Sequence, residues 1–177
     1  MIPFFQISEN TMPCPFTLFG LPEQFPLDET ALDTRYRELA AQFHPDRAAA
    51  ASAFEQKQAV MMSAAVNEAY RVLRHPLERA AYLLQKQNID ADAPEHTHFA
   101  PEFLMQQMAW REQLAEADDS AAIQALQAEI AAAYHELLAQ LHSAFAAEQY
   151  EAAAQLLRQG RFLDKMLKEI KNTLPDS

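Results

Sequence analysis

The sequence predicts an all-α protein. Only two glycines occur in 177 residues, half of the residues are hydrophobic, and the helix formers Ala, Leu, Gln and Glu are abundant. Apolar residues recur every three or four positions, as they do on the buried face of an amphipathic helix. No stretch shows the alternation of apolar and polar residues that is typical of a half-buried strand. The length suits one ordinary domain or two small ones.

The N-terminal half contains signals for four helices. Residues 1–15 are expected to be an irregular leader, without the features of a signal peptide. Residues 16–21 form a short apolar turn, which Gly20 closes. Asp28 is a suitable N-cap for a second helix that ends at Phe43. Its apolar face consists of Leu32, Tyr36, Leu39 and Phe43.

Two further helices follow in this half. Ser52 and Glu55 form a capping-box pair for a helix that runs to about Arg74. Pro76 then interrupts the chain, and a shorter helix covers residues 77–85. The apolar pattern of the longer helix contains Phe54, Met61, Ala65, Ala69, Tyr70 and Leu73.

The C-terminal half is predicted to be an antiparallel three-helix bundle. Residues 87–100 contain prolines and acidic residues and are interpreted as a linker. The first helix of the bundle covers residues 101–117, and a turn at 118–120 follows it. The next two helices carry apolar residues at helical spacing: Ile123, Leu126, Ile130, Tyr134, Leu137, Leu141 and Phe145, and then Leu156, Leu163, Leu167, Ile170 and Leu174. The expected domains are therefore residues 16–86 and 101–177.

Charge and cysteine content exclude several classes of protein. The net charge of −11 argues against a nucleic-acid-binding protein, which needs clustered Lys and Arg. Residues 1–84 carry seven basic and ten acidic residues, whereas residues 85–177 carry seven and fifteen, so the two halves are suited to different partners. The single cysteine, Cys14, favours a reducing compartment, and we expect a cytoplasmic protein. No apolar run reaches the length of a membrane-spanning helix.

The segment His44-Pro45-Asp46 lies between the second and third helices and allows three interpretations. It could be a surface turn without a function, because Asp and Pro are common in turns. His44 could act as a general base that Asp46 orients, although the chain offers no nucleophile in a suitable turn. The third possibility is recognition of another protein by an exposed loop whose backbone Pro45 restricts.

Residues 16–84 resemble a J-domain of the DnaJ class. The resemblance is carried by Tyr36-Arg37-Glu38-Leu39, His44-Pro45-Asp46-Arg47 and Asn67-Glu68-Ala69-Tyr70, in the order and spacing of that family. It implies that the loop docks on a DnaK-type chaperone and stimulates ATP hydrolysis there, while the J-domain itself hydrolyses nothing. The matching chaperone-binding residues are His44, Pro45, Asp46, Arg35, Arg37 and Arg47. Arg47 stands where the family usually has lysine.

The first helix of the bundle has two apolar sides. At 100° per residue, Phe103, Trp110 and Leu114 lie on one side, which is the expected core face. A row on nearly the opposite side consists of Leu104, Met108, Glu112 and Glu116, with Met105 adjacent. Exposed apolar residues beside acids suit a protein partner. The alternative is that Leu104 and Met108 pack against the J-domain or the linker.

The resemblance extends over nearly the whole chain and narrows the family. Five segments resemble HscB, the J-type co-chaperone of iron–sulfur cluster assembly. They are residues 16–22, 75–84, 103–105 and 161–165, together with Arg111-Glu112. This implies that the bundle binds the scaffold protein IscU and that the J-domain brings IscU to the chaperone HscA. It also implies an L-shaped molecule. The matching scaffold-binding residues are Leu104, Met105, Met108, Glu112, Glu116 and Phe162. Ala109 stands where relatives often carry an acid.

We expect no catalytic site, no cofactor, no metal ion and no bound cluster. His96 and His98 lie near several acids, but two histidines at this spacing are a weak metal signal. Cys14 alone cannot build the cysteine-paired zinc extension of some relatives. The alternative function is that of a J-domain co-chaperone for a different client, and a small hydrolase using His44 and Asp46 is a more distant one.

Overall fold

The computed structural model describes residues 14–44, 46, 52–91, 93 and 99–173 and is all-helical in these parts. No strand occurs among the described residues, so the predicted fold class is confirmed. The helices follow one another as α1 Pro15–Phe19, α2 Glu29–Gln42, α3 Ala53–Arg74, α4 Pro76–Lys86, α5 Pro101–Glu116, α6 Ser120–Ala146 and α7 Tyr150–Thr173.

Contacts between residues divide the chain into two compact units. The division falls inside α4, between Arg79 and Ala80. The first unit therefore contains α1 to α3 and the start of α4, and the second contains the rest of α4 and the three helices of the C-terminal half. The domain boundaries at residues 86 and 101 remain a prediction.

In the first unit α2 and α3 form an antiparallel hairpin. Leu32, Val66 and Leu73 are fully buried and form part of its core. Three side-chain hydrogen bonds fix the register, from Arg74 to Glu29, from Tyr70 to Asp33 and from Tyr36 to Asn67. The Tyr36 and Tyr70 rings also stack, with centroids 4.0 Å apart. Asn67 and Tyr70 of the Asn-Glu-Ala-Tyr motif therefore join the two helices to each other.

The predicted helix starts are confirmed by side-chain hydrogen bonds. The Asp28 carboxylate accepts a hydrogen bond from the Ala31 amide at 2.9 Å. Ser52 and Glu55 form the complete capping box at the start of α3. Because the hydrogen bonds from Ser52 favour the ionised carboxylate, they lower the pKa of Glu55. These caps satisfy amide groups that a helix leaves unpaired at its N-terminus.

The apolar face predicted for α3 is correct only in the C-terminal half of the helix. Ala69 and Leu73 are buried, whereas Phe54 is 75% exposed and Met61 is 59% exposed. The register of the hairpin explains the exposure of Phe54, because continuing the three hydrogen-bonded pairs places Phe43, the residue after α2, opposite Val60. The first turns of α3 therefore extend past α2. Met61 is seven residues after Phe54 and lies on the same, outward side of the helix.

The second unit contains a bundle of α5, α6 and α7. The short connections at residues 117–119 and 147–149 make consecutive helices antiparallel. Trp110 of α5 is buried, and its indole N–H donates to Glu129 of α6 at 2.7 Å. Buried residues of α6 and α7 complete the core: Leu126, Ile130, Leu137, Leu141, Leu157, Leu163, Met166 and Ile170. The predicted bundle is confirmed.

Part of the predicted linker packs on this bundle. Ala91 is buried, and its carbonyl oxygen accepts a hydrogen bond from the Arg158 guanidinium of α7 at 3.1 Å. Asn88 adopts a left-handed backbone conformation with φ of 60° just after α4, and the Ile89 amide donates to the Leu84 carbonyl. This is a common way to end a helix. The segment from Lys86 to Ala91 is therefore held by specific hydrogen bonds.

Candidate interaction sites

The first candidate site is the loop that follows α2. The helix ends at Gln42, and the Phe43 amide still donates to the Leu39 carbonyl. The Asp46 backbone N–H then donates to Nδ1 of His44 at 3.3 Å. An Nδ1 that accepts a hydrogen bond carries no proton, so the neutral imidazole has its proton on Nε2. The loop thus offers one N–H donor from His44 and one carboxylate from Asp46.

The geometry at His44 does not match the catalytic interpretation. A base oriented by Asp46 would donate a hydrogen bond from Nδ1–H to the Asp46 carboxylate. The carboxylate lies 3.6 Å from Nδ1, which is an ion pair only when the imidazole is protonated. The shorter contact is the one from the Asp46 amide, and it requires an unprotonated Nδ1. The His44 and Asp46 side chains are 57% and 90% exposed, which suits contact with another protein.

The arginines predicted beside the loop differ in their surroundings. Arg35 is paired with Glu38, whose carboxylate lies 3.0 Å from the guanidinium. Arg37 is exposed and makes no hydrogen bond or ion pair with the described residues. Arg37 is therefore the more available cation for an acidic partner. Pro45 and Arg47 lie outside the residues that the structure describes.

The second candidate site is the outer side of α5, where three large apolar side chains are exposed. Leu104, Met105 and Met108 are 43%, 64% and 72% exposed, as the sequence predicts. We call these three residues the Leu/Met patch. Glu112 and Glu116 are also exposed and continue the same row toward the end of α5. Methionine side chains are flexible and polarizable, so this surface can adapt to apolar groups of a protein partner.

Phe162 of α7 is half-buried and has two neighbours on α5. The rings of Phe162 and Phe103 meet edge to face, with centroids 5.9 Å apart. The Arg111 guanidinium lies over the Phe162 ring, 5.6 Å from its centroid. Phe162 is among the residues predicted from the sequence, whereas Arg111 is not. The sequence signal that indicates Arg111 is its spacing. It follows Leu104 by two helical turns and so lies on the same side of α5.

Other sequence-based expectations concern metals and membranes. His96 and His98, with Asp92 and Glu95, lie outside the described residues. Within the described ranges, no group of three His, Cys, Asp or Glu side chains is arranged to hold a metal ion. None of the helices in the described part of the chain is long and apolar enough to cross a membrane.

Comparison with known proteins assigns a family to each half of the chain. Residues 14–82 match the DnaJ domain, and residues 99–171 match the model described as the HSCB C-terminal oligomerisation domain. The co-chaperone protein HscB homolog of Neisseria meningitidis serogroup B is 56% identical over 162 residues, which are 90% of this chain and 98% of that relative. The homolog of Bordetella petrii is 44% identical, over 90% of this chain and 95% of its own length.

Solved structures show the same fold. The chaperone HscB from Vibrio cholerae superposes with a TM-score of 0.79 at 39% identity, over 90% of this chain and 96% of that one. The human co-chaperone protein HscB superposes with a TM-score of 0.86 at 27% identity, over 97% of this chain and 94% of that one. Both similarities extend over the two units.

Proposed function

Because the chain belongs to the HscB family of J-type co-chaperones, we propose that it stimulates ATP hydrolysis by a DnaK-type chaperone, HscA, and delivers the iron–sulfur scaffold protein IscU to it. The family and the J-domain imply a DnaK-type chaperone as a partner. The identities of HscA and IscU are part of the proposal. We also propose that the protein acts in the cytoplasm and catalyses no reaction of its own.

The observation that carries the proposal is the exposure of the Leu/Met patch on a helix whose other side contains the buried Trp110. Three large apolar side chains that face solvent contribute little to the stability of the bundle, in which Trp110 already anchors α5 to α6. Burying them against a partner would remove apolar area from water. Glu112 and Glu116 at one end of the patch would favour a partner with basic groups there.

The loop after α2 provides the groups that we propose for chaperone binding. Nε2–H of His44 can donate to a carbonyl or carboxylate of the chaperone. The Asp46 carboxylate can accept a bidentate hydrogen bond from an arginine. Arg37 adds a positive charge on the helix that leads into the loop. Such charges accelerate association more than they raise affinity, so this contribution should weaken with added salt.

The proposal is tested by measuring ATP turnover of purified HscA with this protein, with IscU, and with both. We expect stimulation by the protein alone and a larger stimulation when IscU is also present. Direct binding of IscU is measured separately by calorimetry. Stimulation without any IscU binding would support a J-domain co-chaperone for a different client. ATP turnover by the protein in the absence of HscA would contradict both functions.

A further inference from the structure

Arg111 lies beside the Leu/Met patch on α5. It follows Met108 by three residues and Leu104 by seven, and both spacings place side chains on the same side of a helix. Arg111 is also the only basic residue of α5, whose other charged residues are Glu102, Glu112 and Glu116. α5 therefore carries one positive charge, and this charge lies at the edge of its apolar and acidic side.

The same side chain contacts α7. Its guanidinium lies 5.6 Å from the centroid of the Phe162 ring, and Phe103 meets that ring at 5.9 Å. Phe103 precedes Arg111 by eight residues, or about 12 Å along the helix axis. Two side chains about two turns apart on α5 therefore both contact Phe162. A guanidinium is attracted to the face of an aromatic ring, so this contact favours the observed position of the Phe162 ring.

The hydrogen-bonding groups of Arg111 are not used within the part of the protein that the structure describes. Arg111 is exposed and makes no hydrogen bond or ion pair with any described residue. An arginine carries five N–H donors, and stacking on a ring leaves those at the edge of the guanidinium accessible. These donors are available to a carboxylate or a carbonyl oxygen of a bound protein.

We infer that Arg111 is a positioning residue of the scaffold-binding surface. Its guanidinium holds Phe162 of α7 next to the Leu/Met patch of α5, so that the two helices present one continuous surface. Its N–H groups bind an acceptor on the scaffold, which therefore has a carboxylate or a free carbonyl next to the apolar group that covers the patch. This inference rests on the proposed function, because it assigns a further residue to the same site.

The test is a double-mutant cycle on the full chain, with binding of IscU measured by calorimetry. R111A is expected to weaken binding by about three- to tenfold, since it removes both the contact with the Phe162 ring and the charge. R111K keeps the charge without the planar stack and should lie between R111A and the unaltered protein. Phe162→Leu should also weaken binding. The two residues act together, so the loss of affinity in the double variant R111A/F162L should be smaller than the product of the two single losses.

Two further measurements distinguish positioning from a general effect on charge or folding. K171A removes one positive charge from an exposed position on α7, in the same unit. It should leave binding within about twofold of the unaltered protein. In the absence of the scaffold, R111A should shift the NMR signals of the Phe162 ring, while the midpoint of thermal unfolding stays nearly unchanged. R111K should shift the same signals, because an ammonium group does not stack as a guanidinium does.

The outcomes separate the inference from the proposed function. Normal binding of IscU by R111A, together with weakened binding by F162L, would overturn the inference and leave the proposed function intact. Strictly multiplicative effects in the cycle, or unshifted Phe162 signals in R111A, would overturn the positioning role. If the unaltered protein fails to bind IscU, the proposed function is wrong and the inference falls with it.

Discussion

Replacing His44 by Gln is expected to weaken the stimulation of HscA strongly while binding of IscU stays unchanged. The amide of Gln can reproduce one hydrogen bond of the imidazole, but it cannot both accept from the Asp46 amide and present a ring N–H in the same direction. We expect the concentration of protein needed for half-maximal stimulation to rise by roughly thirtyfold or more, as for a residue that dominates an interface. ATP turnover measured over a range of protein concentrations gives this value.

The matched control for this change is His142→Gln, which alters an exposed histidine on α6 in the second unit. That variant should stimulate HscA as the unaltered protein does. Thermal unfolding should be similar for both variants, because neither histidine is buried. If His44→Gln stimulates normally, the loop after α2 is not the chaperone-binding site.

The triple replacement of Leu104, Met105 and Met108 by Ala is expected to weaken binding of IscU by at least thirtyfold. The three side chains are exposed, so truncation leaves no cavity in the bundle. Alanine also favours a helix at these positions. The free energy of unfolding should therefore change by less than about 1 kcal/mol. Calorimetry measures the binding, and chemical denaturation measures the stability.

The chain offers a control with similar exposed apolar area. Phe54 and Met61 on α3 are as exposed as the patch residues but belong to the first unit. Their replacement by Ala should leave binding of IscU unchanged. A large loss of stability in the triple variant would show that the patch is part of the core. Equal weakening by the α3 variants would show that general surface apolarity drives the binding.

Phe162 needs a different substitution from the three patch residues. Its ring contacts Phe103 and Arg111 and is half-buried, so an alanine at this position would disturb the bundle as well as the surface. Leucine keeps part of the apolar volume and removes the aromatic face. This distinction follows from the structure, because the spacing of residues along α7 does not show which neighbours on α5 the ring meets.

Much of the fold could be predicted from the sequence because its signals are local. Asp28 and Ser52 set the starts of α2 and α3 through hydrogen bonds within three residues, and these act wherever the helix lies. The two sides of α5 were also predictable, since the 100° step per residue separates Trp110 from Met108 and Met105.

Other features depend on the positions of atoms in the folded chain, which the sequence pattern does not show. Phe54 and Met61 have helical spacing with buried residues, yet both are exposed. Phe54 lies where α3 extends past the end of α2, and Met61 lies on the same, outward side of α3. The acceptor role of Nδ1 in His44 depends on the position of the Asp46 amide. The cation–π contact between Arg111 and Phe162 joins residues that are far apart in sequence and meet only in the bundle.

The measurement that most directly tests a two-site adaptor uses the two single-site variants together. His44→Gln keeps the scaffold site, and the L104A/M105A/M108A variant keeps the chaperone site. An adaptor needs both sites on one chain, so an equimolar mixture of the two variants should not restore the extra stimulation of HscA that IscU produces with the unaltered protein. The mixture should give only the stimulation of the patch variant alone. Full restoration by the mixture would contradict delivery of the scaffold by a single chain.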